Sequence, residues 1–298
     1  DGIRDVERSR GLGDVYKRQG SMWCEMKCTF LKRLKNANIK TIFRQMLDLC
    51  IETLYVSDVD AIIVPHINAA KEFWEIYRVE KDKIIISPYG QDFYERFHDK
   101  KFFHKVTNFK SKLSGKKIIL FVGGMDWERK GAQTILLSFS EVLKEIPSVL
   151  IMTGKPSRKH LDLISKLGLN VGEDVLLPGL VSDETLALFY ASCDVFALPS
   201  HHEGFSQPVI EVMAYGKPVV VSPLAGYPVV STGVNGFIVD PNNIQAFTQA
   251  IKKLLTDRSL YNVMSKNAYL KAKKYSWSKI GLNLLKRFQG LLDRQLSN

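Results

Sequence analysis

The chain contains no apolar run approaching the ~18 residues that a membrane-crossing helix needs, and no secretory leader is visible. Its four cysteines, Cys24, Cys28, Cys50 and Cys193, match none of the common zinc or redox spacings, which leaves reduced structural thiols in a cytosolic protein. There is no Walker loop and no three-glycine dinucleotide fingerprint, and no repeat or low-complexity tract. Negative charge is in the minority. Against 31 acidic residues stand 42 basic ones, and the net charge of +11 favours anionic partners such as nucleotide phosphates or an acidic membrane surface. Nucleic acid ranks last among them, because the basic cluster Lys27, Lys32, Arg33, Lys35, Lys40 and Arg44 has no interleaved aromatic platform.

What is present suits a globular protein. A chain of 298 residues with 45% hydrophobic content supports about two domains. Asp1–Gln19 stands apart. It lacks apolar periodicity, and three of its segments, Asp1–Asp5, Ser9–Gly13 and Asp14–Gln19, resemble in order a reading frame of the transposase adapter used in shotgun-sequencing libraries. Residues 1–19 are therefore expected to be an adapter-derived tail, excluded from the fold, and the chain a metagenomic fragment whose natural beginning is lost.

Ile39, Ile42, Phe43, Met46, Cys50 and Leu54 recur at helical spacing, with Lys40 and Arg44 on the opposite side. Packing on a sheet is the favoured role of that helix, and peripheral membrane contact the other. Ala61–Val64 reads as a buried strand, Ala69–Tyr77 as a helix and Lys83–Ile86 as a second strand. Phe93–Ser114 is charged and aromatic and reads as a connection between domains. Beyond it apolar runs at Ile118–Val122, Val149–Met152, Val175–Leu177, Val195–Leu198, Val219–Val221 and Phe237–Val239 mostly alternate with helical stretches at 132–145, 158–167, 183–191 and 208–215. Helices near 244–255, 261–274 and 278–292 close the chain. Continuous apolar strands separated by helices predict an α/β fold with a doubly wound parallel sheet. Such sheets bind ligands beyond the carboxyl ends of their strands. Gly123-Gly124, Gly154-Lys155, Pro178-Gly179 and Ser200–Glu211 all fall there.

Within the last of these, Glu203-Gly204-Phe205-Ser206-Gln207-Pro208-Val209-Ile210-Glu211 places two carboxylates around a loop that enters a helix. Pro208 suits the first turn, and Ser206 or Gln207 suits the cap. Free amides at a helix start favour a phosphate, and a carboxylate accepts hydrogen bonds from sugar hydroxyls. In Gly123–Gly131 the glycines allow backbone to approach a ligand, and Arg129 and Lys130 supply two cations suited to a diphosphate. Taken alone, that second loop reads as an ordinary glycine turn with solvated charges. Asp58-Val59-Asp60 reads as a capped turn, since it precedes a strand where a metal motif should follow one. His201, His202 and His66 are weaker candidates. The histidine pair has one neighbouring carboxylate and no cysteine, which is too few ligands for zinc.

Together with Leu198-Pro199-Ser200 before it and Met213–Val220 after it, the glutamate segment resembles glycosyltransferase family 4, retaining enzymes of the GT-B fold. The likeness runs from about Val59 to Leu292 and takes in Arg129-Lys130-Gly131, Leu177-Pro178-Gly179, Asp194–Ser200 and Asn235–Pro241. It implies two Rossmann-like domains facing a cleft: an incomplete acceptor-side domain with its linker over 20–114, a donor-binding domain over 115–275 and a last helix over 276–298 returning to the first domain. It implies that Glu211 holds the nucleotide ribose and that Glu203 faces the transferred sugar. Amides near Gly204, Phe205 and Ser206 would hold the sugar and diphosphate, with Gly123 and Gly124 also on the donor side. Arg129 and Lys130 would neutralise the leaving diphosphate, and backbone at Gly179 and Leu180 would meet the base. Same-face displacement by an acceptor hydroxyl would follow, with the leaving phosphate as base and neither metal nor cofactor.

The implied partners are a nucleotide-sugar donor and a glycan, lipid-linked or small-molecule acceptor. The implied place is the cytoplasm or the inner face of its membrane. Departures from the family pattern are Ser206 where glycine is common, Gln207 where leucine is common, no glutamate after Pro228, and adjacent Arg129 and Lys130. An epimerase or hydrolase on the same fold, or a non-catalytic nucleotide-sugar-binding fragment, are the alternative readings.

Overall fold

The computed structural model describes residues 15–17, 56 and 59–297. The predicted helix over 39–54, the basic cluster, Cys24, Cys28, Cys50, Asp58 and all of the tail but residues 15–17 lie outside the described residues. The chain divides into two compact units, Asp1–Tyr89 with Ser278–Asn298, and Gly90–Trp277.

In the first unit β1 (Val15–Lys17), β2 (Ala61–Val64) and β3 (Ile84–Ile86) form a parallel sheet in that order. Each residue of β2 is buried, as a continuous apolar run requires. One face meets Phe73 and Ala70 of α1 (Ile67–Ile76), which His66 caps by accepting the amide of Ala69 at 3.1 Å. On the other face Ala61, Ile63 and Ile85 pack against Leu284, Phe288 and Leu291 of the last helix, Trp277–Ser297. The pairing of β1 departs from the exclusion of residues 1–19 from the fold: Val15 stands opposite Ala61 and Lys17 opposite Ile63. The physical reason is general. An open strand edge offers unpaired N–H and C=O groups to any extended segment, and Val-Tyr is β-competent.

The second unit opens with α2 (Phe93–Arg96) and α3 (Lys100–Ser111), in the stretch expected to be a connection. Asp99 caps α3 by accepting the Phe102 amide at 2.7 Å, and Phe102 and Val106 are buried. Of the aromatic residues in this stretch, Phe93 and Phe102 are buried, Tyr94, Phe97 and Phe109 are half-buried, and Phe103 is exposed. Then follow β4 (Lys117–Val122), α4 (Ala132–Leu143), β5 (Ser148–Thr153), α5 (Arg158–Lys166), β6 (Val175–Gly179), α6 (Asp183–Ser192), β7 (Val195–Leu198), α7 (Gln207–Ala214), β8 (Val219–Val221), α8 (Pro223–Gly226), β9 (Gly236–Ile238), α9 (Ile244–Thr256) and α10 (Arg258–Ala272). All six predicted strands form, each within two residues of its expected ends.

The sheet is wholly parallel, in the order β6-β5-β4-β7-β8-β9. The chain winds outward from β4 through β5 to β6, returns to lay β7 on the other side of β4, and winds outward again. Strand order therefore reverses between β4 and β7, which opens a crevice at their carboxyl ends. The core is the two faces of this sheet: Ile119, Leu120, Phe121, Leu150, Ile151, Phe196 and Val220 are fully buried. Burial of each such side chain contributes about 1.5–3 kcal/mol.

Candidate functional site

The crevice at the reversal is built from two loops, one after β4 and one after β7. The β4 loop turns through Gly123–Gly131 and delivers Arg129 and Lys130 just before α4. Asp126 holds the turn by accepting the amide of Arg129 at 3.1 Å. The β7 loop is fastened to it by backbone and hydroxyl bonds: the His201 amide and the Ser200 hydroxyl both donate to the Arg129 carbonyl, at 2.8 and 3.1 Å. Gly131 makes the closest approach. Its φ is +80°, and a Cβ there would lie 2.0 Å from the carbonyl oxygen of Pro199. Only glycine fits both the conformation and the space.

This fastening brings Glu203 onto the two cations. Lys130 Nζ lies 2.5 Å from Glu203 Oε1, and Arg129 Nη1 lies 3.6 Å from the same oxygen. Arg129 Nη1 also donates to the His202 carbonyl at 2.6 Å. The Glu203 and Lys130 side chains are 6% and 13% exposed, whereas Arg129 is 38% exposed, so the Arg129 head is the more accessible cation. The three residues expected to be catalytic thus form one cluster.

The loops after β5 and β6 adjoin it. Gly154 donates to the Gly179 carbonyl at 2.7 Å, and Lys155 donates to that of Gly124 at 2.8 Å. Gly154 has φ +103°, and a Cβ on it would stand 2.1 Å from the Gly124 oxygen. Gly123, Gly124 and Gly179 therefore meet along one edge. Leu180 stands exposed beside them, at 65%.

Ser206 and Glu211 behave differently from Glu203. Ser206 occupies the cap position of α7, yet its side chain makes no cap bond, a correction to the expected role. Its hydroxyl is buried without a hydrogen-bond partner. An unmet buried hydroxyl is costly unless a ligand or water meets it. Phe205 is buried, with its ring 6.2 Å from that of Tyr275, and Gly204 links it to Glu203.

Glu211 lies on α7, buried, and no cation among the described residues pairs with it. Its Oε2 accepts the hydroxyl of Tyr190 on α6 at 2.8 Å. Burial raises its pKa to about 7, the Tyr190 hydrogen bond holding it down and Asp183 and Asp92 adding to the rise. Burial likewise pushes the Tyr190 phenol well above its ordinary value, so it remains a donor. Tyr215, which ends α7, donates to the carbonyls of Phe93 and Phe97 at 2.9 and 3.0 Å and ties α2 to α7.

Sequence reasoning passed over Tyr190, although a tyrosine on the buried apolar face of a helix requires a partner for its hydroxyl. It also passed over Trp127 as a structural element. The buried indole donates to the Thr153 carbonyl at 3.1 Å and so ties the β4 loop to the end of β5. His160, packed 5.5 Å from that indole, is kept neutral-leaning by burial. Among the described residues no group of three or more His, Cys, Asp or Glu is placed to hold a metal ion, and no helix is long and apolar enough to cross a membrane.

Comparison with known proteins agrees with this geometry. The family model "Glycosyl transferases group 1" matches residues 103–271. An uncharacterized glycosyltransferase of Methanocaldococcus jannaschii is 30% identical over 220 residues, covering 70% of this chain and 55% of that protein. A serotype-specific mannosyltransferase of Escherichia coli is 26% identical over 242 residues, covering 78% of this chain and 29% of the other. The chain thus spans about half or less of the length of these relatives. Among solved structures, Anabaena HepE in complex with UDP and glucose superposes with a TM-score of 0.73 at 17% identity, over 93% of this chain and 71% of that one. Sucrose-phosphate synthase from Thermosynechococcus elongatus gives 0.72 at 21%, over 95% and 67%. The family model covers more than half of the chain, through the loops that carry Arg129, Lys130, Glu203 and Glu211, and this chain belongs to the group 1 glycosyltransferases, with an α/β fold of parallel, Rossmann-like sheets.

Proposed function

We propose that the Gly90–Trp277 unit binds a nucleotide-sugar donor at the carboxyl ends of β4 and β7, and that the protein transfers the sugar to an acceptor hydroxyl with retention of anomeric configuration. The observation that carries this reading is the convergence of Glu203, Arg129 and Lys130 at the strand-order reversal, with the start of α7 and the unmet Ser206 hydroxyl following in the same loop. The complex of Anabaena HepE with UDP and glucose supports the choice of ligand.

In this reading Arg129 and Lys130 take up the charge that develops on the leaving diphosphate, while amides at Gly204, Phe205 and Ser206 hold the remaining oxygens. Glu203 then has two tasks. Before the donor arrives it neutralises and positions the two cations. With the donor bound, the diphosphate shares those cations and a Glu203 oxygen accepts from a sugar hydroxyl. Glu211 accepts the two ribose hydroxyls, a role that suits a carboxylate free of competing cations. Gly179 and Leu180 border the base. The leaving phosphate deprotonates the acceptor, so the residues serve electrostatics and orientation and no protein group is consumed. The donor domain asks for no metal, since its cations and the helix start supply the positive field.

Calorimetric titration of the chain with UDP and with GDP tests the site. Binding of one of them that Glu211→Ala abolishes is expected, and unchanged binding by that variant removes Glu211 from the nucleotide site. Transfer is tested by proton NMR of the product formed from a nucleotide-sugar panel and an acceptor. The anomer of the donor sugar is expected in the product. Epimerised or free sugar formed without any acceptor would favour the epimerase or hydrolase reading.

A further inference from the structure

We propose that Tyr190 is a positioning residue of the nucleotide site: its phenol fixes one oxygen of Glu211, so that the carboxylate turns its remaining lone pairs to the ribose. This rests on the assignment of Glu211 to the ribose made above. Tyr190 is fully buried, and its hydroxyl lies 2.8 Å from Glu211 Oε2. Its ring is wedged among those of Phe93, Phe196 and Tyr215, with centroids 5.6, 6.5 and 6.5 Å away. Three packed rings leave the phenol little rotational freedom, so the position of its oxygen is set by the core rather than by the carboxylate it serves.

The surroundings explain why such a partner is needed. From α6, Glu211 faces Tyr190 and the like charge of Asp183, and from the turn before α2 it faces Asp92. Arg96 of α2 is occupied by those two acids, at 2.9 Å from Asp183 and 3.7 Å from Asp92. Tyr215, on the same helix as Glu211, has Tyr94, Glu95 and Arg96 as its own charged or titratable neighbours. From α10, Tyr269 lies against Tyr94. Burial and the two acids all favour the protonated carboxyl, which would offer the ribose one acceptor and one misplaced donor. Among the described residues the Tyr190 hydroxyl is the one hydrogen bond that favours the charged form. It also occupies Oε2 from the core side, so the ligand meets Oε1.

The experiment is a set of titrations of the full chain with UDP and GDP between pH 5.5 and 9, on wild type, Tyr190→Phe, Glu211→Gln and the double variant. Wild-type affinity is expected to fall as pH drops through about 7. A hydrogen bond to a charged group is worth about one pH unit or more, so Tyr190→Phe moves the midpoint up by about one unit. Near pH 7 that variant binds several-fold more weakly, and at pH 9 it converges on wild type. In the Glu211→Gln background Tyr190→Phe leaves affinity unchanged.

A loss that is equal at every pH marks Tyr190 as structural only and overturns the proposal, as does an unmoved midpoint. Should Glu211→Gln alone bind like wild type, the ribose assignment itself falls and this inference falls with it, a result distinct from a failure of Tyr190→Phe alone. A second measurement needs no nucleotide. Carbon-detected NMR of the Glu211 carboxyl, identified by its absence in Glu211→Gln, is expected to titrate near pH 7 in wild type and higher in Tyr190→Phe. Equal midpoints in the two proteins overturn the proposal.

Discussion

Glu203 and Glu211 are the same residue type, eight positions apart in one loop and helix, yet they live in opposite surroundings. Glu203 is held by two cations from a loop some seventy residues away, with Lys130 at 2.5 Å. Glu211 is buried against a neutral phenol, with no cation among the described residues and a pKa raised to about 7. The difference teaches that a carboxylate's chemistry here is assigned by the element packed against it. The β4 loop makes Glu203 a counter-ion, and α6 makes Glu211 an acceptor poised near neutrality.

The comparison breaks most completely at Lys130. Replacing it with Met removes the nearer cation from Glu203 and from the proposed diphosphate. A loss of about 10²–10³-fold in kcat is expected, the size typical of one removed charge-stabilising donor. Steady-state transfer assays on the cognate donor check it, and a near-wild-type rate would remove Lys130 from the proposed role. Glu211 is left untouched by this change, so its pH behaviour stays as in wild type.

The Glu211 half is sharpened by stability against pH. In the folded chain its carboxyl keeps a proton up to about pH 7, whereas the unfolded group ionises near 4.5. The folded state therefore binds the extra proton between those values. Its stabilisation is full below 4.5 and is lost as pH rises through 7, a fall of about 3 kcal/mol. Urea melts of wild type and Glu211→Gln across pH 4.5–8.5 should diverge by about that amount. Parallel curves for the two proteins would contradict the buried, unpaired placement of Glu211.

Gly131→Ala loosens the Glu203 half alone. A side chain at φ +80° that also meets the Pro199 carbonyl is expected to destabilise the chain by about 2 kcal/mol, read from the urea midpoint. It should also weaken UDP or GDP binding through the shifted Arg129 and Lys130, and a neutral effect on both would show that the two loops are not fastened there. Ser206→Ala gives the smallest effect. It removes an unmet buried hydroxyl, so stability should hold or rise by up to about 1 kcal/mol, while nucleotide affinity falls about fivefold. Unchanged affinity would place that hydroxyl outside the ligand's reach.

Much of the second unit was legible before any coordinates. Ile118–Val122 and Val195–Leu198 are apolar at every position because strands buried on both faces tolerate nothing else, and that pattern is local. The Arg129-Lys130 loop was different: taken alone it read as an ordinary glycine turn with solvated charges, and the family resemblance was what pointed its cations at a ligand. Phe93–Ser114 was misread as a connection. Its short helices hold few periodic positions, and their stability comes from packing on α6 and α7 rather than from the pattern itself. Tyr190 was invisible as a partner, since nothing in its own neighbourhood points to a residue 21 positions later. Ser206 was placed at the helix cap correctly, but not its unmet hydroxyl, which depends on what the loop leaves out of reach.

Local chemistry and periodicity were enough to set the alternation of strands and helices, the parallel sheet, and the presence of two carboxylates and two cations in two loops at its carboxyl edge and the helix that follows one of them. Which carboxylate met the cations was settled by the order β6-β5-β4-β7, which lays β7 beside β4 and so carries Glu203 to Lys130 across 73 residues. The same winding put α6 against α7 and left Glu211 with a phenol. Coulombic and hydrogen-bond energies depend on distance in space, and distances between remote residues exist only once the sheet has closed.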